Sequence, residues 1–296
     1  MSSGAIIVRE RNVGPVTQVG LRSLGRLARH LLLLFFVAVI LLPLIWVVAS
    51  SFKSVPELYQ VPTTFFPTQP TLSSYQFVLT QVPKLPQYYE NSLVVSSVSV
   101  FLAGLIACLA GYAFGRLAFP GRDQIFWGLV ISLFLPTSIT SLFAVYELTD
   151  RLQLLDTWPG LILPYTASAL IVSTFIMRSV YMSIPGELQD AARIDGCNTL
   201  AVFWRIMLPL GAMGIVVITI LNFVNIWGEY LLARTLTYEN ARTLPVEISL
   251  LQPQTGEWHF NTVSAAYMLM FGPAFLVLVL LQRWFLRGLS EGALKF

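Results

Sequence analysis

Residues 183–209 read SIPGELQDAARIDGCNTLAVFWRIMLP, a long polar and motif-rich segment lying between two hydrophobic runs. It reads as two short helices with a break. Pro185 suits a first helical turn, and Glu187 and Asp190 place negative charge near the positive end of the helix dipole. Gly196 suits the residue just past the helix end. Asn198 or Thr199 can cap a second helix, which carries Leu200, Phe203, Trp204 and Met207 on one stripe before it enters the next apolar run. Pro209 is expected to kink it there. On the first helix, Glu187, Asp190 and Arg193 fall on one side, and Leu188, Ala191 and Ala192 share the other. Paired alanines let another chain come close, so the segment suits a handle for a soluble partner. The alternative is an amphipathic connector lying on a membrane surface; helix periodicity alone leaves both open.

Working outward, 56% of residues are hydrophobic and 11% charged, against roughly 25% charged in soluble domains. A soluble core cannot hide that much apolar surface, so the fold class is an all-α polytopic membrane protein. Arg22, Arg26 and Arg29 precede a run from Leu31 to Ser50 whose length is a full span rather than the shorter core of a signal peptide, and no A-x-A-like site ends it. Residues 1–20 read as a flexible cytoplasmic tail and 21–296 as one transmembrane domain. Six transmembrane helices are expected at about 30–52, 91–115, 124–146, 158–178, 206–230 and 262–283, with 183–205 as the polar loop between the fourth and fifth. Residues 54–89 and 233–261 are too polar to span.

Orientation follows from basic residues near the span ends. Of the 18 Lys and Arg residues, only Lys53, Lys84, Arg151, Arg234 and Arg242 fall on the side opposite the termini. Both termini and the 183–205 loop are therefore expected in the cytoplasm.

The chemistry is sparse. No G-x-x-x-x-G-K-[ST] loop is present to cradle phosphates, and no Ser/His/Asp or Cys/His arrangement stands out, so no catalytic residue is assigned. Cys108 and Cys197 are too far apart for a disulfide, and the two histidines, His30 and His259, make no metal cluster. Charges are nearly absent from the span interiors, which argues against an ion-coupled carrier. Polar residues do recur: Asn222, Asn225 and Glu229 form a stripe on the fifth span, Thr137 sits just beyond Pro136 in the third, and Tyr165 lies in the fourth. These are the candidates for a translocation pathway, with helix packing as the competing reading.

Asp190-Ala191-Ala192, then Asp195-Gly196, then Ile206-Met207-Leu208-Pro209 resembles the EAA loop of ABC importer permeases. Asp190 stands where Glu is usual, keeping the charge on a shorter arm, and Cys197 stands where Ala is common. PTTFFPTQPTLSSY (62–75), GYAFGRLAFPGR (111–122), RTLPVEISLLQ (242–252) and QRWFLRGLSEGALKF (282–296) resemble the maltose-type carbohydrate importers, particularly their second, shorter permease.

The resemblance implies a type I importer fold in a bacterial inner membrane. Glu187, Asp190, Ala191, Ala192, Arg193, Asp195, Gly196 and Phe203 would couple the chain to an ATPase. The implied partners are a second homologous permease, two ATPase subunits holding ATP and Mg, an extracytoplasmic solute-binding protein and membrane lipid; nucleic acid is not among them, and this chain needs no cofactor. The implied cargo is a di- or oligosaccharide, with a glycerol-phosphate-type or other polyol substrate as the alternative.

Overall fold

A computed structural model of the chain describes residues 15–134, 140–251 and 259–293, and all regular structure within them is helical. α1 (Pro15–Ser51) is a single 37-residue helix. It begins inside the expected flexible tail because Pro15, with its fixed φ, suits a first helical residue; residues 1–14 lie outside the described ones. Apolar side chains from Leu31 to Leu44 are exposed on every face of α1, as suits a helix bathed in lipid.

The polar strap that follows holds α2 (Val55–Leu58) and α3 (Ser73–Gln81). Buried Glu57 organises it, accepting from the Thr68 N–H at 2.6 Å and from the Thr68 and Thr64 hydroxyls. Those bonds, the Thr68 amide first, hold its carboxyl below the usual carboxylate range. Lys53 lies 4.6 Å over the Trp46 ring, and its carbonyl accepts from Asn261 Nδ2, tying the strap to the last helix.

α4 (Leu85–Arg116), α5 (Arg122–Ser132), α6 (Thr140–Arg151) and α7 (Trp158–Ser183) come next. The polar segment folds as α8 (Gly186–Ile194) and α9 (Thr199–Val202), continued by a π turn (Phe203–Met207), α10 (Leu208–Leu210) and α11 (Ala212–Trp227). α12 (Leu231–Leu236), α13 (Leu244–Leu250) and α14 (Phe260–Ala293) complete the chain.

Four of these helices are long and apolar enough to cross a membrane: Leu27–Ser51 within α1, α4, α7 and Phe260–Trp284 within α14. The expected fifth span is broken. Thr199–Leu210 and Ala212–Trp227 meet at 71°, and the bend sits at Gly211 rather than Pro209. Pro209 lacks a donor, but the π turn ahead of it, with Leu208 N bonding the Phe203 carbonyl, already relaxes the ladder. Gly211 is where the chain must pass Tyr181: a Cβ there would come within 2.7 Å of the ring.

The expected third span likewise runs as two short helices, α5 and α6, on either side of residues 135–139, which lie outside the described ones. At about 1.5 Å per residue, neither reaches the roughly 30 Å of a bilayer core. Among the described residues the structure thus supplies four spans, or five with the broken pair.

α4 and α7 make the most extensive helix pairing. It is possible because Gly111 has no side chain: a Cβ would fall 2.7 Å from Met177 Cβ and 2.9 Å from the Arg178 backbone. Buried side chains gather in two clusters along this pair. One, at the α8 end, contains Tyr112, Met177, Tyr181, Phe203 and Met207; the other, at the opposite end, contains Tyr88, Leu161, Tyr165, Trp227 and Leu244.

The opposite end is closed by a carboxylate. Asp156 sits at φ +56°, a left-handed position that Asp tolerates, and accepts from the N–H groups of Tyr238, Glu239, Asn240 and Ala241 at 2.9–3.2 Å. Beside it, Asn91 Nδ2 donates to the carbonyls of Asn240 and Arg242 while its Oδ1 accepts from Trp158 Nε1. Partial burial pushes the Asp156 pKa up, but the four amides outweigh it and hold the carboxyl below its ordinary value.

A lowered native pKa means that the charge stabilises the loop above about pH 3.9 and is lost as pH falls through the lower native value. At neutral pH, Asp156→Asn is expected to cost about 1.5–3 kcal/mol locally. Hydrogen exchange of the 238–241 amides checks this: wild-type protection in the variant refutes the anchor.

Candidate functional site

The loop 183–205 has a defined shape. α8 ends in a closed cap: the Gly196 N–H donates to the Arg193 carbonyl and the Cys197 N–H to the Ala192 carbonyl, at 3.0 and 2.9 Å. Gly196 adopts φ +81°, which the cap requires. Asn198 then caps α9, its Oδ1 accepting from the Ala201 N–H at 2.8 Å.

Glu187, Asp190, Ala191, Arg193, Asp195 and Gly196 are exposed, with Leu188 and Ile194 between them. Ile194, at 87% exposure, is an apolar side chain left uncovered among the described residues. Ala192 and Phe203 are placed differently. Ala192 is buried with Gln189 against the cluster beneath, and Phe203 is 1% exposed, its ring 5.5 Å from that of Tyr112. The paired alanines therefore divide between faces: Ala191 points outward and Ala192 inward, because α8 turns its buried stripe through 189 and 192. Phe203 supports the loop from below.

The polar stripe on the fifth span divides too. Asn222 is buried and donates to the Ser173 hydroxyl at 2.8 Å. Tyr165 is buried and donates to Glu229 Oε2 at 2.6 Å. Glu229 in turn accepts from the Leu232 and Ala233 N–H groups, capping α12. These two stripe positions thus bind α11 and its end to α7. Asn225 alone of the three is exposed, returning its amide to the Leu221 carbonyl. Thr137 lies outside the described residues. A groove of about 590 Å³ opens between α4, the broken span and α14, lined among others by Val100, Gly104, Cys108, Trp204, Thr219 and Phe223.

Two arginines that are not among the expected site residues meet at the base of the loop. Arg116, ending α4, donates from Nε to the Tyr181 carbonyl at 2.8 Å. Arg178, near the end of α7, donates from Nε to the Phe114 carbonyl at 3.4 Å and lies 4.1 Å over the Phe126 ring of α5. Their sequence signal was a basic residue near the last turn of an apolar helix, where free carbonyls await donors.

An exposed two-helix loop, capped at both turns and seated on a buried aromatic cluster, projects from the end of an otherwise apolar bundle. A family model described as the binding-protein-dependent transport system inner membrane component matches residues 17–291. The chain belongs to that family.

Among its relatives in the family is the sulfoquinovosyl glycerol transport system permease protein SmoH of Agrobacterium fabrum. The two are 38% identical over 262 residues, covering 86% of this chain and 89% of SmoH. The trehalose/maltose transport system permease protein MalG of Thermococcus litoralis is 32% identical over 259 residues, covering 86% and 91%. A crystal structure of a bacterial ABC transporter involved in the import of the acidic polysaccharide alginate shares the fold. Its TM-score is 0.76 at 20% identity, covering 93% of this chain and 99% of that one.

Two variants separate packing from exposure in the stripe. Asn222→Leu strands the buried Ser173 hydroxyl and is expected to cost about 1–3 kcal/mol. Asn225→Leu is expected to stay within about 0.5 kcal/mol of wild type. Thermal unfolding of the purified chain in detergent decides; equal losses would mean that both amides are packed.

Proposed function

We propose that this chain is the permease subunit of an ATP-driven importer for a carbohydrate, with the sugar delivered from outside by a binding protein. The family itself is a transport-system component of the inner membrane, and the permease relatives named above carry a sugar-glycerol conjugate and the disaccharides trehalose and maltose. The single observation that carries the reading is the exposed loop: a stiff polar helix with uncovered Leu188, Ala191 and Ile194 and with Glu187, Asp190 and Arg193 around them.

In this reading the chain hydrolyses nothing. A second, homologous permease completes the pathway, and two ATPase subunits holding ATP and Mg supply the work. Residues 183–205 dock on one of them, and residues 21–296 act as one permeation domain with six spans and both termini in the cytoplasm. The count of basic residues around the loop end supports that orientation. The contacts are Glu187, Leu188, Asp190, Ala191, Arg193, Ile194 and Asp195, with Ala192 and Phe203 fixing their base. ATP binding closes the ATPase pair and moves α8; the spans then switch from inward- to outward-facing. Driving a two-state equilibrium from 1:99 to 99:1 takes about 5.5 kcal/mol, so the helix that conveys part of this must not melt.

On the pathway, Asn225 is the stripe residue free to meet a hydroxylated substrate; Asn222, Tyr165 and Glu229 act by holding α7 and α11 in register.

Co-expressed with its partner permease, ATPases and binding protein, the complex is expected to hydrolyse ATP faster when maltose, trehalose or a related oligosaccharide is offered. Asp190→Lys should abolish uptake while leaving membrane insertion intact. Wild-type uptake by that variant would refute the docking assignment.

A further inference from the structure

At the base of the loop, α4 and α7 exchange arginines. Arg116 of α4 donates to the Tyr181 carbonyl in the last turn of α7, and Arg178 of α7 donates to the Phe114 carbonyl in the last turn of α4. Each guanidinium therefore binds a carbonyl in the last turn of the other helix, the Tyr181 carbonyl also accepting from the Ile184 N–H, and the two C-termini are laced to each other. Neither arginine makes an ion pair with a carboxylate among the described residues.

The lacing reaches further on both sides. Arg178 stacks over Phe126, and Phe126 stacks on Phe175 at 6.2 Å, so the contact extends to α5. On the other side, a Cβ added to Gly186, the first residue of α8, would lie 3.8 Å from Arg116 Nη1. The Arg116 guanidinium thus holds the end of α7 and lies beside the start of the exposed loop helix. Its Nη2 is buried without a partner, so the group holds a donor in reserve. If α8 shifts, an acceptor can pass from Nε to Nη2 without leaving the charge bare.

Close packing makes the joint stiff. Gly111 admits Met177 at contact distance, the Gly115 Cβ position lies 3.3 Å from the Arg178 carbonyl, and Gly211 lies against the Tyr181 ring. These contacts leave little slack between α4, α7 and the bend at Gly211.

We propose that Arg116 and Arg178 are positioning residues that pass movement of α8 into α4, α5 and α7. They touch neither nucleotide nor cargo. The inference rests on the transporter reading above, in which an ATPase moves α8. It predicts a specific defect: ATP is still hydrolysed, but the far end of α4 no longer responds.

Glu90 is exposed on α4 at that far end. In a Glu90→Cys background, the complete complex in proteoliposomes is labelled from outside with a membrane-impermeant maleimide. Labelling is compared without nucleotide and after trapping with ATP, Mg and vanadate. In wild type, trapping is expected to change the labelling rate.

Arg116→Ala and Arg178→Ala are expected to hydrolyse ATP within about twofold of wild type while that change shrinks on the order of tenfold. Arg116→Lys, which keeps the charge and one donor but not the fork, is expected to restore part of it. An undiminished change in both alanine variants overturns the proposal. So does failure of both to assemble, since the arginines are then scaffolding alone. A wild-type complex that hydrolyses no ATP sinks the transporter reading itself, and this inference with it.

Discussion

Everything in this chain is arranged around the approach of α4 to α7 at Gly111. In a bilayer, lipid tails are as apolar as leucine, so helices gain little from hiding oily surface from each other. Close van der Waals contact and satisfied polar groups must do the work instead. Gly111 permits the contact, and Arg116, Arg178, Ser173 with Asn222, and Tyr165 with Glu229 supply polar ties along the same pair of helices and α11. The two buried clusters sit at the ends of this seam, one beneath the exposed loop and one beneath the strap and the 237–243 turn.

Much of this was legible in the sequence, and the reason is locality. Uncharged runs, the cap at Asn198, the left-handed residue at Gly196 and the two-helix loop depend on neighbours a few positions away, which a linear reading sees. What needed a partner from elsewhere in the chain was not legible. Periodicity put Asn222, Asn225 and Glu229 on one face, yet Ser173 and Tyr165 claim two of them and leave Asn225 exposed. Ala191 and Ala192 looked like one small patch, but the cluster under α8 takes only Ala192.

The bend of the fifth span illustrates the same limit. Proline is the familiar signal for a kink, but the chain turns two residues later, where Tyr181 of a different helix stands in the way. The third stretch lacks charge between Asp123 and Glu147; its described parts are α5 and α6, and residues 135–139 lie outside the described ones. The arginines at 116 and 178 were visible as charges, but their acceptors are backbone carbonyls, which carry no signature in a side-chain alphabet.

The α4–α7 seam also has a bearing on how the protein is made. Its halves are separated by α5 and α6, so α4 enters the membrane well before α7 has been synthesised. During that interval Gly111 and Ser99 on α4 face whatever surrounds the nascent chain instead of α7. Until translation passes residue 183, α4 is a helix whose notch has no tenant. A translocon or chaperone that shelters that notch, or a pause that shortens the wait, would govern the yield of correctly assembled protein.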